Sequence, residues 1–310
     1  MAYRIKKGDD SVEDALRRIA DEQIGRAIAE IDDDTLDFHR RVHQVRKRCK
    51  KMRGLLRLVR PAFGEYGREN AAFRDAARLL SGTRDADNLI ATYDTVCGHF
   101  DRQTDRRAFA SIRARLTRDA REVRAAADTA ERIDEFGRSM VAARKRARGW
   151  TLEESGFDAV AGGLGKTYRR ARKRMDAAWA APDDAAMHEW RKRLKYHWYH
   201  ARLLGKVAPP MMAPHEAAAD ELSDLLGDHH DLAVLEARLA EAPEDFGDPA
   251  DLGVFRALLR QRKEALAAQS FRQGRLLLAE RSGPLVKRWK GYWKRWRKGK
   301  QAPERLLVKA

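Results

Sequence analysis

One set of cationic side chains occurs twice in this chain, at helical spacing. His43, Arg46, Lys47, Lys50 and Arg57 form the first copy; His188, Arg191, Lys192, Lys195 and Arg202 form the second, 145 residues on. At about 100° per helical residue, each set falls within an arc of roughly 100° on one side of its helix. Arg53 extends the first set. Arginine offers phosphate oxygens a planar fork of donors, lysine a mobile point charge, and histidine a donor that gains charge beside an anion. No acid lies between Arg40 and Arg60, and none between Arg191 and Pro214. Salt bridges within those turns therefore cannot neutralise the ridges. An extended polyanion lying along them is the most economical compensation.

Further basic residues repeat the pattern. Lys166, Arg169, Arg170 and Lys173 stand at i, i+3, i+4 and i+7 beside Tyr168, and Arg26 is the first-half counterpart of Arg172. Arg113, Arg115, Arg118 and Arg121, with Arg256, Arg260 and Lys263, lie in segments that also carry acids and read as partly plain surface. The segment Trp289 to Lys298 interleaves aromatics with bases. It fits either a terminal helix docked on a bundle or a base-stacking or interfacial surface.

Other chemistries find less support. His229-His230-Asp231 and the pair His39 and His43 lack a full metal-ligand set, so no metal is expected. A Ser-His-Asp order, a P-loop, a dinucleotide fingerprint and an HExxH motif are all missing. A non-catalytic binding protein without a cofactor is the stronger reading. Asp32 to Asp34 and Asp183 with Asp184 precede the two basic helices and need no role beyond capping and dipole complementation.

The elements that must position the ridges are helices. Ala, Leu, Arg, Glu and Lys dominate, and no run alternates as a strand would. Periodicity and prolines predict helices over 12–31, 35–60, 69–80, 85–97, 105–130 and 133–148. A second series covers 152–180, 184–204, 214–226, 230–240, 252–269, 273–282 and 285–298. Opposite each ridge runs an apolar seam: Val45, Cys49, Met52, Leu56 and Val59, then Trp190, Leu194, His197, Ala201 and Leu204. His197 accordingly reads as a packing histidine.

The two series are copies. Leu79 to Asp85 aligns with Leu225 to Asp231, Leu89 with Leu235, and Phe109 with Phe255, at an offset of 146. In both, Gly82 and Gly227 read as helix stops before a capped restart. The expected architecture is all-α: two tandem helical-bundle repeats, 10–148 and 152–282, related by a pseudo-twofold axis and joined near Gly149 to Gly165. A basic aromatic tail, 284–310, completes a single domain of 1–310.

The net charge of +17 points to anionic partners. Cys49 and Cys97 lie far apart without metal-like spacing and fit a reducing, cytoplasmic compartment. No stretch approaches a membrane span, and the first residues do not read as a signal peptide.

The doubled His-x-x-Arg-Lys-x-x-Lys (His43 to Lys50, His188 to Lys195), each followed by Leu-Leu-x-x-x-x-Asp (Leu79 to Asp85, Leu225 to Asp231), resembles the CHAD domain. The resemblance spans about residues 10 to 300. It implies two four-helix-bundle-like repeats that bind inorganic polyphosphate and associate with polyphosphate granules. The family's basic positions fall on His43, Arg46, Lys47, Lys50, His188, Arg191, Lys192 and Lys195. Members are often fused to a CYTH triphosphatase; its Glu-x-Glu-x-Lys signature is absent, so the chain looks like a stand-alone binder. Ser81 stands where the second copy has Gly227, and Trp198 where the first has Arg53, so the halves are expected to contribute unequally. The alternatives are a nucleic-acid binder and, more weakly, a metal-dependent phosphohydrolase.

Overall fold

The structure, a computed structural model, describes residues 3–33, 35–80, 83–125 and 129–299, without the side chains of residues 39, 83–85, 124, 125, 129 and 130. Its described residues form helices and connecting turns, with no strand among them. In chain order they are α1 (Val12–Ile31), α2 (Phe38–Val59), α3 (Tyr66–Leu79), α4 (Thr83–His99), α5 (Ala110–Ala125), α6 (Thr129–Ala147), α7 (Asp158–Ala180), α8 (Asp184–Leu204), α9 (Pro209–Glu241), α10 (Pro249–Leu277) and α11 (Ser282–Lys298). Short 3₁₀ turns occupy Arg60–Ala62, Arg106–Phe109 and Pro243–Phe246.

Two hydrophobic cores result. The larger gathers α1, α2, α3, α6, α7, α8, the first half of α9 and α11 around residues such as Ile19, Leu56, Phe73, Leu164, Trp190 and Leu222. The smaller is a distal lobe of α4, α5, the second half of α9 and most of α10, centred on Tyr93, Phe109, Leu235, Phe246 and Phe255. α9 and α10 pass from one core to the other and tie them together. Packing partners recur along the chain: α1 packs on α2 and α6, and α7 packs on α8 and α11.

The basic helices meet closely. Gly54 of α2 faces Tyr199 of α8 so tightly that a Cβ at Gly54 would lie 2.9 Å from the Tyr199 Cβ. His200 Nε2 donates to the Gly54 carbonyl at 3.1 Å. Gly163 lets α7 onto α2 in the same manner; a Cβ there would stand 1.9 Å from the Leu58 carbonyl oxygen. Apolar seams and glycine notches therefore fix where the ridges lie.

Several expectations need correction. Gly227 does not stop a helix, because α9 runs unbroken through Gly227 to Asp231. A helical glycine costs about 1 kcal/mol, but the buried stripe Leu222, Leu226, His229 and Leu232 continues across it and outweighs that cost. Pro214 likewise falls inside α9, which starts at Pro209. The segments 252–269 and 273–282 are one helix, α10, up to Leu277. α2 is capped by Asp37, which accepts from the Arg40 amide at 2.9 Å, rather than by the earlier acids, of which Asp34 lies outside the described residues. Asp183 does cap α8, accepting from the Ala186 amide at 2.7 Å. Residues 162–165 belong to α7, so the joint ends before Asp158. Ser81 and Gly82, and the tail beyond Gly299, also lie outside the described residues.

Candidate anion-binding site

The first ridge runs along α2 beside α3. His43, Lys47 and Lys50 are exposed. Arg46 Nη1 donates to the Ala77 carbonyl of α3 at 3.1 Å. One turn further, Arg53 and Arg57 share a single neutral acceptor, the Asn70 Oδ1, at 3.4 and 2.5 Å. The Arg57 guanidinium also lies 4.0 Å from the ring centroid of Tyr196 on α8. An amide oxygen and an aromatic face hold a guanidinium in place without cancelling its charge.

Beyond Arg57 the ridge meets the third basic set. Lys166 and Arg170 of α7 come within electrostatic reach of Arg60, and Arg170 also of Arg193 on α8. The Lys166 ammonium is held below the usual lysine range, first by Arg60. Burial, then Arg60 and Arg193, lower Arg170, and burial lowers Arg57. Arg60 Nε and Nη2 are buried without a hydrogen-bond partner. Near the same crossing, Lys51 is pulled to about 8 by burial, then by Arg48 and Arg202. Like charges have thus been brought together, and an anion placed among them would relieve their mutual repulsion. Arg169 is exposed beside Arg170 and acts on both Lys166 and Arg170, while Lys173 is exposed about one turn further along α7.

The second ridge runs along α8 beside α9 and differs in its neighbours. His188 Nδ1 lies 3.1 Å from His230 Nδ1, and burial lowers the pKa of both, His230 to about 4. Both rings are neutral at pH 7 and share one proton position. Lys195 and Arg202 flank the Trp198 ring at 4.0 and 5.5 Å. Carboxylates do reach this ridge, contrary to expectation. Glu189, one turn earlier, pairs with Lys192 and Arg193, and Asp224 of α9 stands 3.6 Å from Lys195. Counting acids only between Arg191 and Pro214 overlooks both.

Other predicted features fall into place elsewhere. His197 is buried, with Nε2 2.8 Å from His215 Nε2, beside Tyr168 and Trp289. Trp289 and Trp293 are buried in the large core, so α11 docks on the bundle. Cys49 and Cys97 are free and buried. Among the described residues no group of three or more metal-ligating side chains could hold an ion, and no helix is long and apolar enough to cross a membrane. The site residues missed in the sequence are Lys51, Arg60, Asn70, Arg193, Tyr196 and His230. Arg60 alone had a signal, standing three residues past Arg57 on the same face.

One cavity lies off the ridges. It is an open depression of about 890 Å³ on the distal lobe, walled by Arg106, Arg107, Arg113, Arg118 and Arg121. Two of these, Arg106 and Arg113, are tied to Asp94 at 2.5 and 3.0 Å.

Comparison with known proteins agrees with the helical fold. No match was found among curated proteins. The crystal structure of the CHAD domain from the plant Ricinus communis aligns with a TM-score of 0.58 at 16% identity, over 90% of this chain and 96% of that one. A likeness at that identity shows the fold. The family model of the CHAD domain matches residues 15–240, most of the chain, and the chain belongs to the CHAD domain family.

Proposed function

We propose that this chain binds inorganic polyphosphate along the basic faces of α2 and α8 without acting on it chemically. The observation that carries the reading is the convergence of Arg57, Arg60, Lys166 and Arg170 around neutral acceptors and rings, with Lys166 lowered by the charge of Arg60. The family is linked to polyphosphate binding, which supports the same choice of ligand. Gly54 and Tyr199 hold equivalent places in the two copies and touch each other, as residues at a twofold axis do. We therefore read the chain as a tandem duplication, 10–148 and 152–282, folded about a pseudo-twofold axis through that crossing.

The mechanism is multivalent electrostatic capture. Successive phosphates engage successive cations and release condensed counterions, so affinity rises with chain length and falls steeply with salt. Association with cytoplasmic polyphosphate granules follows from such capture. A competition titration tests the ligand. Unlabelled long-chain polyphosphate should displace a labelled polyphosphate at lower phosphate concentration than duplex DNA or single-stranded RNA does, at physiological salt. Stronger displacement by DNA would make the chain a nucleic-acid binder instead. Phosphate release from polyphosphate in the presence of magnesium would overturn the non-catalytic reading.

A further inference from the structure

The two basic helices are copies, yet the helices beside them carry opposite charge. Contacts between α8 and α9 descend one helix as they climb the other. His188 meets His230, Arg191 lies 3.8 Å from where a Gly227 Cβ would stand, and Lys195 meets Asp224. α9 therefore runs antiparallel along the second ridge. Asp220, Asp224 and Asp228 occupy that side of α9 at i, i+4 and i+8. Asp220 lies within the field of Lys195 and Arg202, and Asp228 within that of Arg191 and Arg262. Each cation from Arg191 to Arg202 on this ridge thus has a carboxylate in electrostatic reach. Burial, then the neighbouring acids, raises the pKa of Asp220 and Asp228, so these carboxylates crowd one another.

The first half carries less negative charge beside its ridge: one acid of α3, Asp75, lies in the field of Arg53, and two arginines already hold it. At the offset that aligns Leu79 with Leu225, the positions of Asp220 and Asp224 are held by Arg74 and Arg78. α3 brings these two guanidiniums, both bound to Asp75 at 2.8 and 3.5 Å, to the helix beside α2. α9 brings two carboxylates to the matching place beside α8.

We propose that Asp220, Asp224 and Asp228 form an acidic rail that sets the affinity of the site: a built-in counter-anion that partly occupies the second ridge and leaves the first as the anchor for the polymer. The proposal rests on the polyphosphate reading above. A phosphate chain on the second ridge must displace Asp224 from Lys195 and then lie beside three carboxylates. On the first ridge it passes one carboxylate, Asp75, which Arg74 and Arg78 already share and which lies within the field of Arg53. The polymer then loads from the α2 side, and its α8 contacts form last and break first, which keeps the complex reversible.

The test uses the full chain carrying Asp220→Asn, Asp224→Asn and Asp228→Asn together, titrated with linear polyphosphate of defined length over a salt series. Affinity should rise roughly tenfold or more, and the log–log salt slope should steepen by about one to three. A second variant, Arg74→Asp with Arg78→Asp, lays a rail along the first half and should weaken binding roughly tenfold or more. Its two sites are exposed or half-buried on α3, so it remains informative should the triple variant misfold. Unchanged or weaker affinity in a folded triple variant, or unchanged affinity in the second, overturns the rail. Failure of the unmodified chain to bind polyphosphate would instead strike the underlying reading.

Discussion

The ridge on α2 and the distal lobe are both rich in arginine, and they treat it differently. In the distal lobe, Asp94 binds Arg106 and Arg113, and Asp119 binds Arg115 and Arg238 at 2.8 and 2.5 Å, with Asp245 adding to Arg115 at 3.1 Å. Around the C-terminal turns of α2, Arg53 and Arg57 rest on one amide oxygen, and Arg57 covers a tyrosine. A carboxylate ends the search of a guanidinium for negative charge; an amide or a ring only orients it. Arginine content alone therefore does not mark a binding surface. What the guanidiniums are bonded to decides.

The sharpest way to break this contrast is charge reversal on the ridges. Arg46→Glu with Arg191→Glu should weaken polyphosphate binding by roughly a hundredfold or more, about 3 kcal/mol, with the helical circular dichroism retained. Titration calorimetry on the folded double variant measures it.

Acidification separates the regions by stability. Burial holds His200 at about 3 and His215 and His230 at about 4, and it drives His197 well below its ordinary value. Folded-state values lie below the unfolded value of 6.5, so the unfolded chain takes up protons first. Stability is complete above pH 6.5 and should fall by roughly 3 kcal/mol or more on the way to pH 4. Asp220 and Asp228, raised by burial, act in the opposite sense and offset part of this. All four histidines lie in or against the large bundle, as do the seven tryptophans. Tryptophan fluorescence in acid should therefore change no later than far-ultraviolet circular dichroism. A bundle unchanged at pH 4 would contradict the buried-histidine assignment.

Asp119→Asn provides the mirror experiment. It weakens the hold on Arg115 and Arg238 and should lower stability by about 1–2 kcal/mol in a denaturant melt while leaving polyphosphate affinity alone. A smaller effect is expected of Tyr196→Leu, which removes the platform under Arg57. Affinity should drop about two- to fivefold, consistent with roughly 0.5–1 kcal/mol for a partly exposed cation–π contact.

Much of this was legible in the sequence, for stated reasons. α8 spans Asp184–Leu204 as expected because Asp183 caps it and its apolar seam keeps one period throughout. The ridges were visible because like charges recur on one face without acids between them. The second ridge looked uncompensated in the sequence because Glu189 lies just before Arg191 and Asp224 comes from another helix, and Gly227 hid the rest. Gly227 reads as a stop, and a stop there separates Asp228 from Asp220 and Asp224. Only the unbroken α9 lines the three up beside α8. Asn70 and Tyr196 carried no signal, since a neutral acceptor reached from another helix leaves no trace in local spacing. Tertiary burial, which sequence periodicity registers only in part, decided both outcomes.

The central claim is that the ridges, and not the net charge of +17, hold the polymer. The most direct test compares two variants with equal charge change, Arg46→Glu with Arg191→Glu on the ridges and Arg118→Glu with Arg121→Glu on the distal lobe, by polyphosphate titration at several salt concentrations. The ridge pair should lose binding and flatten the salt slope, while the distal pair stays within about threefold of the unmodified chain. Equal losses in both would mean that overall charge attracts the polymer and that the ridges are ordinary surface.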